Sequence, residues 1–91
     1  MPRVPSEAAA QVGRQIGDRR RALAMTQDEL AAASGIDSSN IRAYENGRAL
    51  PNVQTVVRIA TALHVEPGDL LSGLTAEMFA IPALDGRRRT A

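Results

Sequence analysis

The chain has 91 residues, of which 44% are hydrophobic and two are aromatic, so it can bury one small and mainly aliphatic core. It has no cysteine for disulfides or thiolate metal sites, and no apolar run as long as a membrane span or signal peptide, so we expect a cytoplasmic protein. Its net charge is only +1. The chain has one histidine and no glycine-rich loop that could bind a phosphate, so the sequence argues against an enzyme and against a bound cofactor or metal.

The first predicted element is a helix from Glu7 to Ala24. Positions three or four residues apart in this segment form one stripe along the helix, which consists of Val12, Ile16, Arg20 and Leu23. Residues 1–6 contain two prolines and are expected to form a loose arm before this helix.

A second, shorter helix is predicted to begin at Gln27. Thr26 and Glu29 have the spacing of a capping box, in which the Thr hydroxyl accepts from the backbone N–H of Glu29 and the carboxylate accepts from the N–H of Thr26. Gly35 follows at a position where a left-handed residue ends a helix most easily. A short helix and a tight turn are therefore expected here.

A third helix is predicted between Asp37, its N-cap, and Gly47, which ends it. Ile36 and Ile41 occupy the two positions of a hydrophobic staple, which fixes the angle at which this helix leaves the turn. Residues 26–47 thus form two short helices joined by a turn.

The two faces of the third helix differ in chemistry. At about 100° per residue, the inner face consists of Ile41, Tyr44 and Glu45. A buried carboxylate needs a partner, and Arg20 in the first helix is the best candidate for Glu45.

The outer face carries no large apolar residue. It consists of Ser39, Arg42, Ala43 and Asn46, with Ser38 at its N-terminal edge. Short side chains let a helix enter a DNA major groove deeply, and Ser, Asn and Arg can hydrogen-bond base edges or phosphates. For any one of these residues the alternative is an ordinary solvated helix face.

Two more helices are predicted towards the C-terminus. Asn52 caps a fourth helix, and Pro67 opens a short fifth helix that runs to Leu71. His64, at the end of the fourth helix, is expected to be a favourable C-terminal charge rather than a ligand.

No strand-like alternation is present, so we expect an all-α fold, a compact bundle of about five helices. The residues expected to form its core are Val12, Ile16, Leu23, Leu30, Ile36, Ile41, Val53, Val56, Val57, Ala60, Leu63, Leu70 and Leu71.

The pattern resembles the phage repressor and Cro-type helix-turn-helix family, also called the xenobiotic-response-element (XRE) family. The resemblance covers roughly residues 12–73. The matching pieces are Arg20, Thr26-Gln27, Glu29-Leu30-Ala31, Gly35-Ile36, Ile41, Glu45, Gly47, Pro51, Ile59-Ala60-Thr61-Ala62-Leu63-His64-Val65 and Leu70-Leu71.

The resemblance implies a lambda-repressor-like DNA-binding domain over residues 7–73, with a recognition helix at about residues 38–46. The residues at positions of DNA contact are Gln27, Ser38, Ser39, Asn40, Arg42, Ala43, Asn46 and Arg48. In the family, Gln27 and Asn46 correspond to phosphate contacts, and Ser38, Ser39 and Ala43 to base-reading positions.

The resemblance also implies that Arg20 and Glu45 form a buried structural ion pair. Arg42 and Ala43 depart from the commonest family residues, and whether Arg42 meets a phosphate or a guanine stays open. After Gly47, the loop Arg48-Ala49-Leu50-Pro51 either binds a second phosphate through its backbone N–H groups and the Arg48 side chain, as the equivalent family loop does, or Arg48 is a charge favoured by the helix dipole.

Residues 74–91 lie beyond the match and form a C-terminal extension. An apolar patch surrounds a short helix that Pro82 ends, and its members are Leu74, Met78, Phe79 and Ile81. The patch either caps the domain's own core or is buried against a second copy. Arg87–Arg89 is expected to be a basic tail that touches phosphates without specificity.

Three classes of function compete. The first is a transcriptional regulator of bacterial, phage or plasmid type that binds double-stranded DNA as a homodimer on a partly palindromic operator. It would be a stand-alone repressor, a restriction–modification controller, or an antitoxin with a toxin partner. The second is a protein-interaction module that binds polymerase or a coactivator without salt-sensitive, sequence-dependent DNA affinity. The third, an enzyme, lacks a catalytic set.

Overall fold

The computed structural model describes residues 6–79, which are all-helical apart from turns and loops. Five α-helices follow one another, α1 (Glu7–Ala22), α2 (Gln27–Ser34), α3 (Ser38–Glu45), α4 (Val53–Leu63) and α5 (Pro67–Leu70), and a short 3-10 helix (Ala76–Met78) comes after them. The predicted all-α bundle is confirmed over this range. The arm before Ser6, Ile81, Pro82 and the tail Arg87–Arg89 lie outside the described residues.

The helices begin where side chains can satisfy the free backbone N–H groups of a first turn. Ser6 Oγ accepts from the N–H of Ala9 at 3.1 Å at the start of α1. Asn52 Oδ1 accepts from the N–H of Thr55 at 2.8 Å, so Asn52 caps α4 as predicted. Pro67 opens α5, also as predicted.

The capping box of α2 is fully formed. Thr26 Oγ1 accepts from the N–H of Glu29 at 3.0 Å, and Glu29 Oε1 accepts from the N–H of Thr26 at 2.8 Å. Gly35 ends the helix in the left-handed conformation, with φ 72°. α1 stops at Ala22, two residues before the predicted end, because Ala24 is itself left-handed (φ 56°) and cannot continue the helix.

The core lies where α1, α2, α3, α4 and α5 meet, and it is aliphatic, as predicted. Its buried members are Val12, Ile16, Leu30, Ala31, Ile41, Val56, Ile59, Ala60, Leu63 and Leu70. Partly buried residues that pack against this cluster include Ile36, Tyr44 and Leu74.

The prediction was wrong for four residues that were expected in the core and lie on the surface. Their exposed fractions are 44% for Leu23, 81% for Val53, 44% for Val57 and 42% for Leu71. Ile59 was missed and is fully buried.

Helix phase explains most of this difference. The buried stripe of α4 runs through positions 56, 59, 60 and 63, and Val57 lies about 100° around the helix from Val56. Val53 is the first residue of α4, before the stripe begins. Leu23 and Leu71 each follow the last residue of their helix, where the chain turns away from the core.

The segment after α5 turns back onto α1. Gly73 adopts φ 84°, and Gln11 Nε2 donates to the carbonyl oxygen of Ser72 at 3.0 Å. Leu74 packs against the core, whereas Phe79 is 42% exposed. The described part of the predicted apolar patch is thus divided between the domain's own core and its surface.

Residues 6–79 contain neither a candidate membrane span nor a candidate metal-ligand cluster. None of the helices there has both the length and the hydropathy that crossing a bilayer demands. Nor does that range contain three or more histidine or acidic side chains grouped as a metal ion would require.

Candidate nucleic-acid interface

α3 is held on the core by its inner face. Ile41 is fully buried, and both Tyr44 and Ile36, which precedes the helix, pack against the same cluster. Asp37 stands at the predicted N-cap position but makes no capping hydrogen bond, and accepts instead from Ser39 Oγ at 2.6 Å. Apolar contacts, rather than a polar cap, therefore fix the start of α3.

A bidentate ion pair ties α1 to the end of α3. Arg20 Nε donates to Glu45 Oε2 at 2.6 Å, and Arg20 Nη2 donates to Oε1 at 2.9 Å. The side chains are only 11% and 7% exposed. Arg20 Nη1 also donates to the carbonyl oxygen of Met25 at 2.7 Å. Because two parallel bonds fix orientation as well as distance, the pair restrains rotation of α3 about its own axis.

Glu45 stays charged although it is largely buried. Burial raises the pKa of its carboxyl, but hydrogen bonds from Arg20 and Gln27, with the charges of Arg20 and Arg21, outweigh burial and hold that pKa below the ordinary 4.5. The hydrogen bond to Glu45 likewise raises the pKa of Arg20, in spite of desolvation. The pair is therefore ionic at neutral pH.

The backbones of α1 and α3 come into close contact at Gly13. A Cβ atom there would meet the carbonyl oxygen of Tyr44 and would lie 2.8 Å from that of Glu45. The sequence contained a signal that was not used: a glycine inside a helix costs about 1 kcal/mol relative to alanine, so it calls for a packing reason. Here that reason is the close packing of α3 against α1.

α3 ends in a Schellman motif. Gly47 is left-handed, with φ 73°, and its N–H donates to the carbonyl oxygen of Tyr44 at 3.1 Å. The N–H of Arg48 donates to the carbonyl oxygen of Ala43 at 2.9 Å. This N–H is therefore used within the protein. A phosphate contact by the other N–H groups of the loop or by the Arg48 side chain stays a prediction. The Arg48 side chain is exposed.

The outer face of α3 is open along the whole helix. Its residues Ser39, Asn40, Arg42 and Asn46 are exposed, and Ser38 and Ala43 are half-buried at its edges. Eight helical residues span about 12 Å, which is comparable to the roughly 12 Å width of a DNA major groove. Because no large apolar side chain lies on this face, its hydrogen-bonding groups are accessible to a ligand as large as DNA.

Gln27 lies at the N-terminus of α2, beside the ion pair. Its Nε2 donates to Glu45 Oε1 at 3.0 Å, a contact that sequence reasoning did not anticipate. An amide nitrogen has two hydrogens, so one N–H is left for a second acceptor. The N-terminus of a helix also favours anions. Gln27 can thus join the buried pair to an anion outside.

The surface formed by α2 and α3 is not basic. Arg42 and Arg48 are exposed, but so are the three carboxylates of Asp28, Glu29 and Asp37. Arg42 Nη2 donates to Asp28 Oδ1 at 3.3 Å, and its Nη1 donates to Ser38 Oγ at 3.4 Å. Sequence reasoning missed Asp28, because only the crossing of the two helices brings it to Arg42.

The order of α2, turn and α3, with the inner face of α3 buried and its outer face exposed, has the geometry of a helix-turn-helix. The model of the HTH_3 helix-turn-helix family matches residues 16–70. The chain belongs to the HTH_3 family. The resemblance that the sequence motifs indicated is thereby confirmed.

Curated relatives of this HTH_3 chain include phage proteins. The cryptic phage CTXphi transcriptional repressor RstR of Vibrio cholerae is 32% identical over 56 residues, which are 62% of this chain and 50% of RstR. The ImmF control region 10 kDa protein of Bacillus phage phi105 is 34% identical over 55 residues, which are 60% of this chain and 61% of that protein. The chain thus spans about half to three fifths of the length of these relatives.

Solved structures similar to the HTH_3 chain include two regulators. The restriction-modification controller protein C.AhdI from Aeromonas hydrophila has a TM-score of 0.67 and 31% identity, with 68% of this chain and 94% of C.AhdI covered. The P22 c2 repressor, crystallised with synthetic operator 9T, has a TM-score of 0.65 and 28% identity, with 69% and 96% covered. These similarities confirm the predicted lambda-repressor-like fold.

Proposed function

We propose that the chain is a sequence-specific DNA-binding transcriptional regulator that inserts α3 into the major groove of an operator. The observation that carries this proposal is the contrast between the two faces of α3. Its outer face is polar and open, while its inner face is fixed by the Arg20–Glu45 pair and the close contact at Gly13. Base readout needs groups held within fractions of an ångström, and such support provides that precision.

The similar P22 c2 repressor was crystallised with an operator, which supports the same use of this fold here. A regulator of this kind needs no catalytic group of its own. It acts where bacterial or phage DNA lies, in the cytoplasm.

We assign base reading to the N-terminal and central part of the outer face. Arg42 can donate two hydrogen bonds to guanine, and the Ser38 and Ser39 hydroxyls can donate to or accept from base edges. Ala43 can contact a thymine methyl group. Asn40, which is exposed and lies about 100° around the helix from Ser39, adds an amide that can reach a base or the backbone.

We assign phosphate contacts to the two ends of the unit. Gln27 uses its second amide hydrogen, and the N-terminus of α2 adds a favourable dipole. At the other end, the Asn46 and Arg48 side chains are exposed and can reach the same or the opposite strand. These contacts fix the register of α3 but do not read sequence.

The absence of a net positive charge on the surface formed by α2 and α3 favours a dimer. Non-specific affinity comes mostly from phosphate neutralisation, and exposed carboxylates reduce it. One copy on one half-site would therefore bind weakly. We propose that two copies bind together on a partly palindromic operator.

The surface we propose for pairing is an apolar groove that lies against α1, α4 and α5. We call it the apolar groove, and its lining is Val12, Leu50, Pro51, Val53, Val56, Val57, Pro67, Leu71, Leu74 and Phe79. Five of these are exposed large apolar side chains, between 40% and 81%. Such a contiguous patch marks an interaction site on a small domain.

The groove suits a second copy of the chain for two reasons. Its lining contains no charged residue, so an isologous two-fold contact brings no like charges together. It also begins at Leu50, three residues after Gly47 ends the Schellman motif of α3. In the proposed dimer, the two-fold axis through the groove must place the two recognition helices about 34 Å apart, the spacing of successive half-sites.

Val53→Glu tests the pairing surface. Val53 is 81% exposed, so the substitution leaves the core intact, but in a dimer it would bury an unpaired charge. We expect the dimer dissociation constant, measured by sedimentation equilibrium, to rise by about tenfold or more. Gln54→Glu is the matched control, because it adds the same charge at a neighbouring exposed position outside the groove. Equal dissociation constants for the two variants would place the dimer contact elsewhere.

Selection of binding sites from random duplexes tests the function itself. We expect an enriched inverted repeat whose affinity falls steeply with salt. A protein-interaction module built on the same fold would enrich no sequence, even at low salt. That outcome would refute the proposal.

A second candidate within the same class is a restriction–modification controller. The similarity to C.AhdI, with 31% identity and 94% of that controller covered, supports this role. A selected operator that lies next to restriction or methyltransferase genes in the source genome would support this role. An operator next to phage lysis or lysogeny genes would support a phage repressor instead.

A further inference from the structure

The guanidinium of Arg42 is not free on the outer face. Its Nη2 donates to Asp28 Oδ1 at 3.3 Å, across the junction of α2 and α3, and its Nη1 donates to Ser38 Oγ at 3.4 Å. Both partners of the ion pair are on the surface, with side chains 49% and 76% exposed. The pair thus lies on the face proposed to meet DNA, and its carboxylate is the more exposed partner.

A phosphate and a guanine edge respond differently to this pair. A phosphate that approaches Arg42 carries a negative charge and is repelled by Asp28 at close range. A guanine edge is neutral and presents two acceptors, N7 and O6, which Arg can contact without that repulsion. Arginine has five N–H donors, so it can keep its contact with Asp28 while it donates to a base.

We propose that Asp28 is a specificity-determining residue, because its carboxylate makes Arg42 a reader of guanine rather than an anchor for phosphate. The proposal rests on the DNA-binding function proposed above and names the base that one position of each half-site should contain. Asp28 itself need not touch DNA, since it acts through the charge and position of the Arg42 guanidinium.

The size of the effect follows from the exposure of the pair. Exposed ion pairs contribute modestly, so loss of the carboxylate should change affinity for non-specific DNA by up to about fivefold. Freeing one arginine for a phosphate should also steepen the dependence of log affinity on log salt by up to about 0.9. Affinity for the operator should change less, because Arg42 already donates to a guanine in that complex.

The test is a double-mutant cycle with the full chain. Wild type, Asp28→Asn, Arg42→Ala and the double variant are titrated against the selected operator and an unrelated duplex, at several salt concentrations. We expect Asp28→Asn to raise affinity for the unrelated duplex and to lower the specificity ratio. We expect no change of that ratio when Asp28→Asn is made in the Arg42→Ala background.

Asp18→Asn is the matched charge control. Asp18 forms an exposed pair with Arg21 on α1, at 2.8 Å, and its replacement changes net charge by the same amount. It should leave the specificity ratio unchanged. Melting temperatures of all variants show whether each is folded at the assay temperature.

Two results would overturn the proposal. The first is that Asp28→Asn changes affinity for the operator and for unrelated DNA by the same factor. The second is that Asp28→Asn lowers the specificity ratio equally in the Arg42→Ala background. Either result would show that Asp28 acts only as a general negative charge. In either case the wild type still prefers its operator, so the proposed function stands. A wild type with no preference among duplexes would overturn both proposals together.

Discussion

Replacement of Glu45 by Gln should lower the free energy of unfolding by about 3 kcal/mol. The substitution keeps the size of the side chain but leaves the Arg20 guanidinium, 11% exposed, without its counter-ion. Loss of one partner from a fully buried pair costs about 3–5 kcal/mol, and the residual exposure places this pair at the lower end. In a domain of this size that corresponds to a fall in Tm of about 12–24 °C, measured by circular dichroism at pH 7.

An exposed pair provides the control for this measurement. Asp18 and Arg21 are 73% and 59% exposed, so Asp18→Asn should cost less than about 1 kcal/mol of unfolding free energy.

The same melting measurements in acid test the contribution of the Glu45 charge. Because the pKa of Glu45 is lowered in the folded state, its contribution is complete above about pH 4.5 and is lost as the pH falls through the folded-state value. Wild type and Glu45→Gln should therefore converge in stability in acid. A variant that melts within 2 °C of wild type at pH 7 would refute the reasoning.

Two further predictions concern the recognition surface and its support. Arg42→Ala should weaken binding to the selected operator by about 1–3 kcal/mol in anisotropy titrations and leave unrelated DNA nearly unaffected. An equal loss of affinity for both duplexes, with a weaker dependence of affinity on salt, would show that Arg42 contacts a phosphate. Gly13→Ala should destabilise the fold by about 1–3 kcal/mol, although alanine is the better helix former, because its Cβ would meet the carbonyl oxygens of Tyr44 and Glu45. Gly68→Ala, which meets no atom within 4 Å, is the control, and equal melting temperatures for the two variants would contradict the close contact.

Features with a local cause could be predicted from the sequence. The capping box of α2 depends on Thr26 and Glu29, three positions apart, and it forms as predicted. Gly35 and Gly47 end their helices in the left-handed conformation because glycine adopts it without steric cost. The distribution of apolar and polar residues around α3 predicted which face is buried, and Ile41 on that face is buried as predicted. DNA contact by the opposite, polar face stays a prediction.

Features that depend on how helices cross could not be predicted in the same way. Val53 and Val57 are apolar residues on a helix with an apolar stripe, and only the packing of α4 leaves them outside the stripe and assigns Ile59 to the core. The contact between Asp28 and Arg42 joins two helices and has no fixed sequence spacing.

The outer face of α3 is proposed to read DNA in the major groove. The most direct measurement is dimethyl sulfate protection on the selected operator, because the N7 atom of guanine lies in that groove. We predict protection of guanine N7 in two clusters about one helical turn apart, with loss of protection at one guanine of each half-site in Arg42→Ala. Unchanged N7 methylation on an operator that the protein demonstrably occupies would contradict the claim.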